Sequence, residues 1–137
     1  MKRNRYLKGM LVLAIATVLC AFTYNQITSS SKQGSEITLK EYNRRISNQE
    51  KIVLAYFSAD WCMVCAKIKP VIEEIERDLG KKVDVLRINA DRDKEVTKEF
   101  EVDALPVLIL YKNGSKAWVL VGVVDPKKLR PQVEAYI

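Results

Sequence analysis

The most informative segment of this 137-residue chain is Trp61-Cys62-Met63-Val64-Cys65-Ala66-Lys67-Ile68-Lys69-Pro70. It follows the apolar run 52–57, which has the length and continuity of a strand buried on both faces. From Val64 to Leu79 the apolar residues recur at helical spacing, and Gly80 ends the pattern. A strand that leads into a helix carrying Cys-x-x-Cys on its first turn indicates dithiol–disulfide chemistry.

The rest of the pattern predicts an α/β domain over residues 36–137. Thr38-x-x-Glu41 is a capping-box pattern, Asn113-Gly114 is a hairpin turn, and Asp125-Pro126 is a helix start. The predicted helices cover 39–48, 62–79, 93–101 and 126–136, and the predicted strands cover 51–57, 83–89, 106–111 and 116–122. This order predicts a mixed sheet of four to five strands with helices on both faces, a parallel βαβ half and an antiparallel closing hairpin.

The positive charge of the chain belongs to its N-terminus. Five of the 23 basic residues and none of the 17 acidic ones precede position 33, which leaves 18 Lys and Arg for the remainder. The predicted domain is therefore almost neutral, and we expect no nucleic-acid partner.

The chain has three cysteines and no histidine. The absence of histidine removes an imidazole base, and Ala66 stands where haem attachment through C-x-x-C-H requires histidine. A structural zinc site takes four ligands, which the domain does not supply, so we expect neither metal nor cofactor. A purely structural disulfide remains an alternative, although so short a loop stabilises a fold poorly.

The N-terminal segment has the features of a signal anchor. Residues 1–9 form a basic cytoplasmic n-region, and no charged residue lies between Lys8 and Lys32. The apolar segment 10–27 is long enough for a transmembrane helix, and the positive-inside bias places the domain C-terminal to it outside the cytoplasm. The Ser-rich stretch 28–35 predicts a flexible linker.

Two alternatives for this segment remain open. It could be a cleaved signal peptide, or it could be lipidated at Cys20. Leu19 disfavours both, because each kind of processing site expects a small residue at that position.

Residues 36–137 resemble the thioredoxin family. Trp61-Cys62-x-x-Cys65 matches its redox motif, and Pro70 matches the proline that kinks the helix. Leu105-Pro106 matches the cis-proline of the family, Lys112-Asn113-Gly114 its hairpin turn, and Gly122 the glycine that lines its substrate groove. The resemblance implies a thioredoxin fold for the whole domain.

The resemblance also implies a role for each matching residue. Cys62 would be the exposed nucleophile and Cys65 the buried resolving thiol of a redox-active disulfide. A helix N-terminus favours a thiolate at Cys62, independently of any family. The implied substrate-binding rim consists of Trp61, Ala104, Leu105, Pro106, Val121 and Gly122. The alternatives are that Leu105 and Val121 belong to the core and that Trp61 is a buried packing residue.

The chain departs from the family around the resolving cysteine. Tyr56 stands where thioredoxins usually carry a buried Asp, and Arg87 replaces the lysine that accompanies it. Ser58 replaces a frequent tryptophan, and Met63-Val64 replaces Gly-Pro between the cysteines. Tyr56 is expected to be a core residue, which leaves water, its hydroxyl or the substrate to deprotonate Cys65.

Together these features predict an exported, membrane-anchored protein-disulfide reductase. Its domain would lie on the extracytoplasmic side, act on disulfide-containing envelope proteins and draw electrons from a membrane donor. A reductase is favoured because the helical insertion typical of DsbA-like oxidases is missing. A disulfide oxidase or isomerase and a non-catalytic binding module are the alternatives.

Overall fold

Residues 36–137, the part of the chain that the computed structural model describes, contain four helices and four strands in the order α-β-α-β-α-β-β-α. The helices are α1 (Leu39–Ile46), α2 (Met63–Leu79), α3 (Lys94–Glu99) and α4 (Pro126–Glu134). The strands are β1 (Ile52–Ser58), β2 (Val83–Asn89), β3 (Val107–Lys112) and β4 (Ser115–Val121). The segments predicted at 1–9, 10–27 and 28–35 lie outside these residues. None of the helices α1 to α4 combines the length and the hydropathy that crossing a membrane requires.

The strands form one mixed sheet in the order β2-β1-β3-β4. Strand β1 runs parallel to β2 and antiparallel to β3, and β3 runs antiparallel to β4. The predicted βαβ half and closing hairpin are confirmed. The sheet of the described residues has four strands, within the four to five that were predicted.

The central strand β1 is buried from Ile52 to Phe57 because helices cover both faces of the sheet. Its even-numbered residues pack beneath α2 and α4, and its odd-numbered residues pack beneath α1 and α3. The α2–α4 face contains Ile52, Leu54, Tyr56, Leu108 and Leu110, and the α1–α3 face contains Val53, Ala55, Phe57, Ile109 and Tyr111. Alternating side chains of one strand therefore fill two separate cores.

Local capping explains where the helices begin. The Thr38 hydroxyl accepts the Glu41 N–H at 3.2 Å, and the Asp125 carboxylate accepts the Lys127 N–H at 3.0 Å. These contacts satisfy backbone donors that have no partner inside the helix.

Helix α3 is shorter than the predicted 93–101, because Glu101 adopts a φ of 48° that a helix cannot include.

The turn between β3 and β4 has the predicted conformation. Asn113 and Gly114 have φ values of 52° and 74°, both in the left-handed region. A two-residue hairpin turn needs this geometry to match the twist of the strands, and Asn-Gly adopts it at low cost.

Candidate active site

The pairing of the strands brings the candidate residues to one edge of the sheet. Phe57 near the end of β1 pairs with Val107 at the start of β3, and Val107 pairs with Val121 at the end of β4. The Gly122 N–H donates to the Pro106 carbonyl at 2.9 Å. The segment after β1, the proline before β3 and the glycine after β4 therefore meet at this edge.

Cys62 and Cys65 form a disulfide across the first turn of α2, with their Cα atoms 5.2 Å apart. Cys62 is the N-cap of the helix, and its Sγ accepts the Cys65 N–H at 3.1 Å. In the reduced protein this donor and the positive end of the helix dipole stabilise a thiolate at Cys62. The arrangement therefore favours Cys62 as the attacking sulfur.

Both cysteines are nearly buried in the disulfide form. Cys65 is 3% exposed, as expected for a resolving thiol, but Cys62 is only 7% exposed. The expectation of an exposed Cys62 is wrong for this form, because its sulfur is engaged by the Cys65 sulfur and the Cys65 amide. Attack on the Cys62–Cys65 disulfide therefore needs an incoming thiol that reaches into the edge of the sheet.

Trp61 projects into solvent beside the disulfide and is 69% exposed, so it is not a buried packing residue. Its indole Nε1–H donates to Asp91 Oδ2 at 2.9 Å. Asp91 is in turn placed by its own N–H, which donates to Asn89 Oδ1 at 2.9 Å. This chain of contacts ties the tryptophan to the end of β2.

The other rim residues surround the cis peptide bond between Leu105 and Pro106. Pro106 is buried, Leu105 is half-buried against both cores, and Ala104 is exposed. Val121 is exposed, so the alternative that it belongs to the core is wrong, whereas Leu105 does contribute to the core. Substrate binding by these residues remains a prediction.

Gly122 completes the rim through its backbone conformation. Its φ of 80° lies in the left-handed region, which L side chains rarely adopt. A Cβ added there would meet nothing within 4 Å, so the glycine is needed for conformation rather than for space.

Tyr56 lies beneath the disulfide and is 3% exposed. Its hydroxyl donates to the Cys65 carbonyl oxygen at 3.2 Å. Burial raises the pKa of Tyr56, and the Ser58 hydroxyl and the Arg87 charge oppose that shift. The expectation that Tyr56 is a core residue is confirmed, and its phenol is neutral at physiological pH.

A cavity of about 290 Å³ opens beside the disulfide. Its lining includes both cysteines and five polar or charged side chains around them: Tyr56, Ser58, Asp60, Lys69 and Arg87. The Arg87 guanidinium pairs with Glu76 at 2.7 Å, whereas the Lys69 ammonium lies 3.9 Å from Glu73. Cys62 and Cys65 therefore border a cavity that is lined by both positively and negatively charged side chains.

Sequence reasoning missed two acidic residues near this edge. Asp93 was predicted only as a helix start, but it is fully buried and accepts N–H groups from Asn89 at 2.7 Å and Ile37 at 2.9 Å. Asp91 had no sequence signal at all, because its contact with Trp61 joins positions 30 residues apart.

The comparisons with known proteins agree with this geometry. The family model described as Thioredoxin matches residues 33–135. A thioredoxin of Rickettsia bellii is 35% identical over 95 residues, which cover 69% of this chain and 90% of that protein. The structure of Plasmodium falciparum thioredoxin has a TM-score of 0.64 at 30% identity, covering 73% of this chain and 95% of that one.

A second solved structure, Malassezia sympodialis thioredoxin, has a TM-score of 0.62 at 29% identity. It covers 72% of this chain and 85% of that one. Family match, fold and disulfide point to the same chemistry. This chain therefore belongs to the thioredoxin family, and its Cys62–Cys65 pair makes it a thiol–disulfide oxidoreductase.

Proposed function

We propose that this protein is an exported, membrane-tethered reductase of disulfides in envelope proteins, supplied with electrons by a membrane donor. The observation that carries the reductase chemistry is the Cys62–Cys65 pair at the start of α2, beside the cis-proline edge. Export rests on the sequence, in which a basic n-region precedes the uncharged segment between Lys8 and Lys32.

The proposed reaction uses the two cysteines in turn. The Cys62 thiolate attacks a substrate disulfide, forms a mixed disulfide and releases one substrate thiolate. Cys65 then attacks the Cys62 sulfur, which releases the second substrate thiol and forms the Cys62–Cys65 disulfide. The membrane donor returns two electrons and two protons to the pair, because a cytosolic reductase does not reach an exported domain.

The rim supports a protein substrate in an extended conformation. Trp61, which precedes Cys62, and Val121 at the end of β4 both expose apolar surface. The backbone next to Pro106 lies where an added extended segment can pair with the sheet in β fashion. A folded client would have to expose its disulfide on a flexible segment to reach Cys62.

The experiment that tests the proposal is a trap in intact cells. A Cys65→Ser variant cannot resolve mixed disulfides, so clients should stay bound to Cys62. We expect the trapped proteins to be envelope proteins, released by reductant and identified by mass spectrometry. The matched control is the double variant Cys62→Ser, Cys65→Ser, which should trap nothing; cytosolic clients, or no clients, would overturn the proposal.

The direction of electron flow is tested separately by equilibrating the purified protein with glutathione. A reductase should have a reduction potential near that of thioredoxin, about −270 mV. A value near that of DsbA, about −120 mV, would instead make the protein a disulfide oxidase. In either case Cys62→Ser should abolish reduction of insulin by dithiothreitol-charged protein.

A further inference from the structure

We propose that Asp60 accepts the proton of Cys65, through water in the cavity beside the disulfide, when Cys65 resolves the mixed disulfide. This inference rests on the two-cysteine reaction proposed above. It concerns only the second step, in which the Cys65 thiol must lose its proton before or while its sulfur attacks Cys62.

The first argument is that Tyr56 is unsuited to be the base. Its hydroxyl donates to the Cys65 carbonyl oxygen at 3.2 Å, and burial raises its pKa. A neutral phenol already committed as a donor is a poor acceptor for a thiol proton. Tyr56, which stands in place of the usual buried Asp, therefore supports the first turn of α2 but does not accept the Cys65 proton.

The second argument is that the cavity connects Cys65 to a carboxylate. Cys65 and Asp60 both line the cavity, and Asp60 has the only carboxylate among the described residues that line it. The volume of about 290 Å³ holds several water molecules, since one occupies about 30 Å³ in the liquid. Water with polar partners on the cavity wall can carry a proton from Cys65 to Asp60.

The third argument concerns the charges that face Asp60 and Cys65 across the cavity. Lys69 from α2 and Arg87 from β2 line the cavity together with Tyr56 from β1. The two cations stabilise a thiolate at Cys65 but have no lone pair to accept its proton. Asp60 therefore accepts the proton, and Lys69 and Arg87 stabilise the thiolate that results.

The protons and electrons of this step balance without another reactant. The Cys65 sulfur forms a bond to the Cys62 sulfur and displaces the substrate thiolate. The Cys65 proton moves through water to the Asp60 carboxylate, which later returns it to solvent or to the departing thiolate. Asp60 itself touches no reacting atom, because water carries the proton to its carboxylate.

The test monitors the two steps separately with the fully reduced protein and excess 5,5′-dithiobis(2-nitrobenzoate) in a stopped-flow instrument. The first release of the coloured thiolate reports attack by Cys62. The second reports attack by Cys65 and does not depend on the concentration of the reagent. Loss of the first release would contradict the two-cysteine reaction, whereas a change in the second alone concerns Asp60.

We expect Asp60→Asn to slow the second release about tenfold at pH 7, which is less than the roughly 100-fold or more of a general base in direct contact, because the proton reaches Asp60 through water. The first release should not change. The difference between wild type and variant should shrink as the pH rises, because an ionised Cys65 no longer needs a base. Asp60→Glu should restore most of the rate, since it keeps the carboxylate.

A simple charge effect would have the opposite sign. Removing a negative charge near Cys65 favours its thiolate and would speed the second release. The matched control is Glu99→Gln on α3, an exposed carboxylate across the sheet that should leave both releases unchanged. An unchanged or faster second release in Asp60→Asn, or a slowing that is the same at every pH, would overturn the proposal.

Discussion

Both faces of the sheet bury apolar side chains, but they use their buried polar groups differently. On the α1–α3 face the hydroxyls of Tyr42 and Tyr111 bond to each other at 3.0 Å. The same face is closed by an aromatic cluster in which the rings of Tyr42 and Phe100 lie 4.5 Å apart. The two hydroxyls there satisfy each other's hydrogen bonding, and neither lies beside a reactive group.

The α2–α4 face leaves its polar groups next to a reactive bond. Tyr56 donates to the backbone of Cys65 rather than to another side chain, and the cavity beside the disulfide opens at the same place. One face therefore supports the fold, whereas the other gives the disulfide access to water and to charged side chains. Substitutions on the two faces should therefore affect different measurements.

The largest effect is expected on stability from Asp93→Ala, beside the α1–α3 face. Removing this buried carboxylate leaves the N–H groups of Asn89 and Ile37 without their partner, which should lower the free energy of unfolding by about 3 kcal/mol. Urea denaturation of the oxidised protein measures the loss. Asp93→Asn should cost less because its amide oxygen still accepts one bond; a loss below about 1 kcal/mol for Asp93→Ala would contradict this role.

A smaller effect is expected above pH 10 from the tyrosine pair. Burial raises the pKa of both Tyr42 and Tyr111, so the folded protein keeps protons that the unfolded chain releases above about pH 10. The stabilisation is complete below that pH, and the free energy of unfolding falls above it by up to about 1.4 kcal/mol per pH unit for each tyrosine.

The control for that slope is Tyr42→Phe, compared with wild type by denaturation at several pH values. It removes one of the two buried hydroxyls, so we expect a shallower fall between pH 10 and 11 together with lower stability at pH 7. Identical slopes would show that the pair does not determine alkaline stability.

The smallest effect is expected from Tyr56→Phe, on the α2–α4 face. The change removes a single hydrogen bond to the Cys65 carbonyl, which should cost about 1 kcal/mol or less. The rate at which Cys65 resolves a mixed disulfide should change less than about twofold, far below the effect of a general base. A large fall in the rate at which Cys65 resolves a mixed disulfide would indicate that Tyr56 is the proton acceptor, and it would contradict the assignment of this role to the cavity beside it.

Local sequence patterns predicted most of the fold because the physics behind them is local. Capping at Thr38 and Asp125 and the left-handed turn at Asn113-Gly114 depend on only a few neighbouring residues. The end of α3 was predicted less well, because the positive φ of Glu101 has no counterpart in residue type.

The candidate site divides in the same way. The spacing of Cys62 and Cys65 predicted dithiol–disulfide chemistry, and the resemblance to thioredoxins placed the cis bond before Pro106. The burial of Cys62 and the contact between Trp61 and Asp91 were not predictable, since both depend on how distant segments meet at the edge of the sheet.

Local patterns alone thus predicted a redox dithiol at a helix start within an α/β domain, because periodicity, capping and C-x-x-C spacing act within one or two turns of chain. The packing of distant segments was needed to show that Cys62 is buried, that the Tyr56 hydroxyl donates to the Cys65 carbonyl and that Asp60 and Cys65 line one cavity. Those facts arise where α2 packs over β1 and β2, a geometry that no local pattern contains.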